Sequence, residues 1–213
     1  MPVRAEWQEC RESAREDGLV PALTLLGRAL SPGALPRGPG GHAVVPRALL
    51  EESAAERAEA APHVPAPLLG EETGLAVLAP PAGGAQGPPL PEAWRTGLAW
   101  LRLGASEALR DACVAYLAGR ESEGTALLMK QMVKGTLAEV LIEHLEIEGA
   151  LGEGPGGDAV RRLQEQITRT DRTILRLLGA HGFTGDGPGR DAYVSELLAD
   201  VYATAGDARE ETP

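Results

Sequence analysis

Aromatic side chains are scarce in this sequence. They make up 3% of 213 residues, with one phenylalanine, three tryptophans and three tyrosines. A chain so poor in large rings must build its core from aliphatic residues, and hydrophobic residues at 43% suffice for one ordinary packed domain, or one domain plus an appendage. Positive charge is also in deficit. Twenty Lys and Arg against 31 Asp and Glu give a net charge of −11 and a pI near 4.9. That excludes nucleic acid as a partner, because phosphate backbones are bound by clustered cations, and it disfavours an anionic membrane surface. Only two lysines occur, Lys130 and Lys134. The preference for arginine points to a GC-rich bacterial genome more than to a mechanism. The two cysteines, Cys10 and Cys113, lie far apart without metal-ligand spacing, so a disulfide framework is not expected and a reducing cytoplasm fits best. The apolar run from Leu19 to Leu30 is short and broken by Pro21 and Arg28, and the acidic start (Glu6, Glu9, Glu12, Glu16, Asp17) has the wrong charge for a signal peptide. Neither a membrane span nor an export signal is expected.

What is present divides unequally near residue 90. The first part opens with a helical stretch over Glu6 to Leu30, interrupted at Gly18 and Pro21. From Ser31 to Pro91 about a third of the residues are Gly or Pro, and no aromatic occurs between Trp7 and Trp94. Such a stretch buries little and costs much ordering entropy. Within it, Arg47 to Ala61 reads as a short helix and His42–Val45 and Gly74–Ala79 as strands, with a linker over Pro80 to Pro89. The expected organisation is an irregular N-terminal region (1–90), a helical domain (91–205) and a tail (206–213).

The second part has clear helical periodicity. Trp94, Leu98, Leu101, Ala105, Leu109, Ala112 and Tyr116 recur at steps of three and four. A second helix, Ala126 to Leu151, stacks Met129, Met132, Val133, Leu137, Val140, Leu141 and Leu145. After a break at Gly152–Gly157, with Asp158 as the expected N-cap, a third carries Val160, Leu163, Ile167, Ile174 and Leu177 and ends at Gly179. A fourth runs from Arg190 to Tyr202 with Val194, Leu197, Leu198 and Val201 inward. Four amphipathic helices on short connections predict a mainly α fold, an antiparallel four-helix bundle.

Taken singly, the motifs are structural. Gly119 to Gly124 reads as a helical hairpin loop with a glycine C-cap, and Gly179 to Gly182 as a helix end and tight turn. His144 and His181 lack ligand neighbours, and Glu143, Glu146 and Glu148 form a solvated face. No phosphate loop, nucleophile elbow or zinc spacing occurs. Their order along the chain carries more. Tyr116-Leu117-Ala118-Gly119-Arg120-Glu121-Ser122-Glu123-Gly124 resembles the Y-x-x-x-R-x-x-F-G turn of the acyl-CoA dehydrogenase family. Gln131 follows seven residues after Gly124, as in that family, and then Leu137-Ala138-Glu139. Gly179-Ala180-His181-Gly182-Phe183-Thr184 is similar to its G-G-x-G-[YF]-T element, and Arg190-Asp191-Ala192 to the R-D-A that opens its last helix. The resemblance covers a little over half the chain, from Trp94 to Tyr202, and is to the family's C-terminal helical domain.

The resemblance implies FAD at a subunit interface, with Arg120, Gln131, Gly179, Ala180 and Gly182 contacting its adenine dinucleotide portion. It implies α,β-desaturation of an acyl thioester, carried on CoA or an acyl-carrier protein, and a partner that is another acyl-CoA dehydrogenase-like subunit or a second copy joined through the bundle. The sequence departs from the family at four places. Glu123 stands where the family has phenylalanine. Ala199 stands at the usual position of the catalytic glutamate. Trp94 stands at the alternative base position, leaving Glu196 and Asp200 as weak substitutes a helical turn away. Ninety Pro/Gly-rich residues do not hold the family's N-terminal helical and β domains. Two readings result: a base-lacking subunit that shares FAD with a full-length catalytic partner, or a degenerate helical scaffold that binds no flavin.

Overall fold

Gly18 splits the N-terminal helical stretch in two. The computed structural model, which describes residues 3–53, 73–80, 90–184 and 187–202, has α1 over Val3–Glu16 and α2 over Leu19–Leu30, with Gly18 between them at φ 98°. Pro21 lies inside the first turn of α2, where a missing N–H costs no helical hydrogen bond. Strands β1 (Ala43–Pro46) and β2 (Leu75–Leu78) pair antiparallel with Val44 opposite Val77, close to where the sequence expects them. Helix α3 spans Arg47–Glu52. Its expected continuation to Ala61, the linker from residue 81 and the tail lie outside the described residues.

The bundle consists of α4 (Glu92–Ala118), α5 (Gln131–Gly152), α6 (Gly157–Leu178) and α7 (Pro188–Tyr202). Four details differ from expectation. Gly119 caps α4 as expected, but the α4–α5 connection beyond it is a β-hairpin, β3 (Glu121–Ser122) against β4 (Thr125–Ala126), rather than a plain loop. Its two turn residues, Glu123 and Gly124, have φ of 56° and 73°, the pair of positive values that a tight hairpin requires. A 3-10 turn over Leu127–Met129 follows, so α5 begins at Gln131 instead of Ala126. Asp158 does not cap α6: Gly156 is the cap residue, and Asp158 sits in the first turn, where its charge still favours the positive end of the helix.

The fourth difference concerns the faces of α5. Val140, His144, Ile147 and Leu151 are its buried residues, whereas Met129, Met132, Leu141 and Leu145 are exposed. The helix is apolar on two faces, and the sequence stripe merged them. α4 is the axis of the molecule. Its Trp94, Leu98 and Leu101 share a core with Leu19, Leu23 and Leu26 of α2, Val44 of β1, and Val194, Leu198 and Tyr202 of α7. The N-terminal part therefore contributes more to the core than its composition suggests, because its aliphatic residues are concentrated in α2 and the strand pair. α1 lies so close along α4 that a β-carbon at Gly104 would collide with the backbone of Arg11. At that crossing Arg11 binds Glu107 of α4 and Glu148 of α5, each at 2.5 Å. Among the described residues no helix is long and apolar enough to cross a membrane.

The last residue of α7 ties the strand pair to the bundle. The buried Tyr202 hydroxyl accepts the Val44 N–H at 2.9 Å and has the carbonyls of Val44 and Pro36 at 2.9 and 3.3 Å as acceptors. Tyr202→Phe keeps the ring but leaves a buried N–H without its acceptor, a loss of about 1–3 kcal/mol. Urea unfolding at neutral pH should register that loss as a lower midpoint with an unchanged slope; an unaltered midpoint would refute the role of the hydroxyl.

Candidate functional site

Because α5 runs antiparallel to α4 and α6, the end of α4, the hairpin, the start of α5 and the end of α6 meet at one end of the bundle. The Tyr116 and His181 rings stack there, centroids 4.2 Å apart and 8° from parallel. The Arg120 guanidinium carbon lies 4.8 Å from the Tyr116 ring centre, a cation–π distance. Arg120 and Gln131 are exposed, Gln131 as the first residue of α5. Gly179 has φ 57° and ψ −138°, a backbone conformation essentially restricted to glycine, and Ala180 beside it is exposed. Gly182 is buried for a packing reason: a β-carbon there would sit 3.1 Å from Leu178 and 3.2 Å from Leu175. The negative charge of Glu123 is paired with Lys130 at 3.4 Å.

On its other flank the glycine turn borders a cavity of about 490 Å³ between α6 and α7, lined among others by Asp171, Arg172, Arg176, Phe183, Arg190 and Tyr193. Glu196 lines it too and is ion-paired with Arg172. Asp200 is exposed, and its carboxyl is pushed up by burial of part of the group and by the neighbouring charge of Glu196. The two positions matched to a catalytic base are elsewhere and covered. Trp94 has no exposed surface and meets Tyr202 edge-on at 5.6 Å and 66°. Ala199 is 9% exposed.

Sequence reasoning missed the Tyr116–His181 stack, since rings so far apart in the chain carry no local signal of contact. It also missed a polar chain through the bundle, for which the one signal was Arg102 standing between Leu101 and Leu103. Arg102 has no exposed surface. Its Nε donates to Ser195 of α7 at 2.9 Å, Nη1 to the Gln164 carbonyl at 3.1 Å and side-chain oxygen at 2.5 Å, and Nη2 to Thr168 at 2.8 Å. Burial pushes this guanidinium down to about 10, against the opposing charge of Asp171.

Asp171 is itself pushed up to about 6 by burial, despite a hydrogen bond from Ser106, and its Oδ1 has no partner among the described residues. Ser106 Oγ is 2.9 Å from His144 Nε2, and Arg110 lies 3.1 Å from His144 Nδ1. Arginine only donates, so Nδ1 accepts and Nε2 carries the hydrogen. Burial first, and the Arg110 charge second, push His144 down to about 4.

These two shifts act oppositely on stability. His144, depressed from 6.5, contributes stability that is complete above that value and lost as pH falls to about 4. Asp171, raised from 3.8, contributes stability that is complete below that value and lost as pH rises through about 6. In the wild type they offset one another between these limits. Relative to it, Asp171→Asn should lose stability on acidification through this window, and His144→Gln should gain it. Denaturant titrations across the pH range in which both variants stay parallel to the wild type would contradict the assignment.

No family model matches the sequence, and no curated protein matches it. Among solved structures the chain is similar to FkbI, for biosynthesis of the methoxymalonyl extender unit of Fk520, at 23% identity, covering 64% of this chain and 45% of that one, with a TM-score of 0.47. It is similar to the steroid ACAD Tcur3481-Tcur3483 in a variant form at 20% identity, covering 59% and 38%, TM-score 0.46. It is also similar to butyryl-CoA dehydrogenase from Megasphaera elsdenii at 18% identity, covering 57% and 39%, TM-score 0.44. The likeness is one of fold, over rather more than half of this chain and less than half of each solved chain.

Proposed function

We propose that this chain is an acyl-CoA dehydrogenase-type subunit that contributes the adenine-dinucleotide side of an FAD site, the flavin ring and the proton-abstracting carboxylate belonging to a full-length partner subunit. The observation that carries this reading is the meeting of Arg120, Gln131 and the Gly179–Gly182 turn at one end of the bundle, although they are spread over sixty residues of sequence. Their chemistry suits the role. Arg120 offers exposed donors to a phosphate, Gln131 offers an amide, and the turn at Gly179 offers backbone without a side chain in the way. Arg176 and Arg190 add cations beside the turn, and Lys130 offsets the unfavourable Glu123.

The covered base positions support the other half of the reading. Trp94 and Ala199 supply no carboxylate, and Trp94 lies within the core that α2, β1 and α7 close. Glu196 is committed to Arg172. Bound FAD would supply hydride acceptance during desaturation of an acyl thioester. The residues of this chain would bind and orient its adenine end and move no proton. On this reading the protein is part of a cytoplasmic oxidoreductase whose substrate is an acyl group on CoA or a carrier protein.

The test is a visible spectrum of the chain purified alone and with a full-length acyl-CoA dehydrogenase-like protein. Flavin close to stoichiometric is expected only in the co-complex. Arg120→Ala should weaken flavin retention on the order of 10-fold or more, the worth of one charge-assisted hydrogen bond, while leaving the complex intact. Absence of flavin from every complex, with Arg120→Ala silent, would instead favour the helical scaffold that binds no cofactor.

A further inference from the structure

The single phenylalanine, three tryptophans and three tyrosines make seven aromatic side chains, and five of them are buried or half-buried. The two that are exposed, Phe183 at 73% and Tyr193 at 41%, line the same cavity between α6 and α7. A chain so poor in rings gains nothing for its fold by leaving two of them uncovered around one hollow. Leu175 and Ala192 extend the apolar wall. A concave, largely apolar site with a few polar groups is what a small molecule needs, and about 490 Å³ is room for one.

Asp171 supplies the polar group. It borders the cavity yet is only 4% exposed, and its Oδ1 has no hydrogen-bond partner among the described residues, whereas buried polar atoms are ordinarily paired. Arg102 provides opposing charge but directs its hydrogens to Ser195, Gln164 and Thr168. The bonds behind Asp171 decide what it can take. Arg110 donates to His144, His144 to Ser106, and Ser106 to Asp171. Every link passes its hydrogen toward the carboxyl, which at neutral pH is ionised, being raised only to about 6. Asp171 can therefore only accept on its open side, and a ligand must bring an O–H or N–H. The ligand's charge is bounded as well. Arg172 is paired with Glu196, and Arg176 and Arg190 add positive charge to the walls. That disfavours an ammonium and leaves a neutral donor.

We infer that the α6–α7 cavity binds a neutral, ring-bearing small molecule that carries a hydroxyl, its body lying against Phe183, Tyr193 and Leu175 and its hydroxyl donating to Asp171. This site goes beyond the flavin-sharing role, uses neither Arg120 nor Gln131, and is tested without flavin, so either can fail while the other stands. The probes are β-naphthol and its methyl ether, the same ring system without the donor. In saturation-transfer NMR of the full chain at neutral pH, β-naphthol should bind at about 0.1–1 mM, the range of a fragment that size. The ether should bind more weakly on the order of 10-fold, since it leaves the carboxylate unanswered. Phe183→Ala and Tyr193→Ala, both at exposed positions, should each weaken the two probes alike by about 3-fold with unchanged circular dichroism. Asp171→Asn keeps the shape of the side chain but can offer an N–H as readily as an oxygen, so the preference for the hydroxyl should shrink to about 2-fold or less. A purely structural Asp171 would leave that ratio unmoved. Failure of β-naphthol to bind, equal binding of the two probes, or binding indifferent to Phe183→Ala and Tyr193→Ala would each overturn the proposal.

Discussion

A guanidinium with no exposed surface sits inside the bundle, and the helices around it are positioned by the acceptors it demands. Leaving a charge buried without partners costs several kcal/mol, so Arg102 of α4 fixes α6 through Gln164 and Thr168 and α7 through Ser195. Arg11 does the same on another side of α4, tying α1 to α4 and α5 through Glu107 and Glu148. With these registers set, the C-terminal ends of α4 and α6 are held level. The Tyr116–His181 stack and the glycine turn depend on that alignment.

The molecule thereby acquires two ends of different character. At one, exposed Arg120 and Gln131 and the Gly179 turn leave polar groups and bare backbone available to an anionic ligand. In the other direction, Trp94 and Tyr202 fill a core with α2 and β1, and the positions matched to a base are occupied by a buried indole and a methyl group. On the proposed reading, a contact surface for part of a cofactor is kept without the acid–base machinery that would use it. Division of one active site between unequal polypeptides is the arrangement we propose from these two ends.

Much of this was legible in the sequence. The stripes of α6 and α7 follow from three-and-four spacing. That of α4 holds at Trp94, Leu98, Leu101 and Leu109 but not at Ala112, which is exposed beside the buried Cys113. The short runs around Val44 and Val77 give the strands. The rest failed for identifiable reasons. The hairpin was hidden because Glu123, rather than the usual Asn or Asp, occupies a left-handed position. The inner face of α5 was obscured because leucines and methionines also line its outer face, so periodicity alone did not distinguish one from the other. In the site, the resemblance supplied Arg120, Gln131 and the glycines, but no local pattern announces that Tyr116 stacks on His181 or that Arg102 is satisfied by three distant helical residues. Contacts between remote segments are a property of the packed core, and the apolar stripes specify that core only approximately.

Titration calorimetry of the isolated chain with FAD, ADP and FMN tests the division of the site most directly. The account predicts that FAD and ADP bind with similar, weak affinity and that FMN does not bind, because the residues present recognise the adenine-diphosphate end and not the ring. Binding of FMN as strong as that of FAD, or tight FAD binding with a perturbed flavin spectrum, would show that this chain holds the ring itself and would contradict the account.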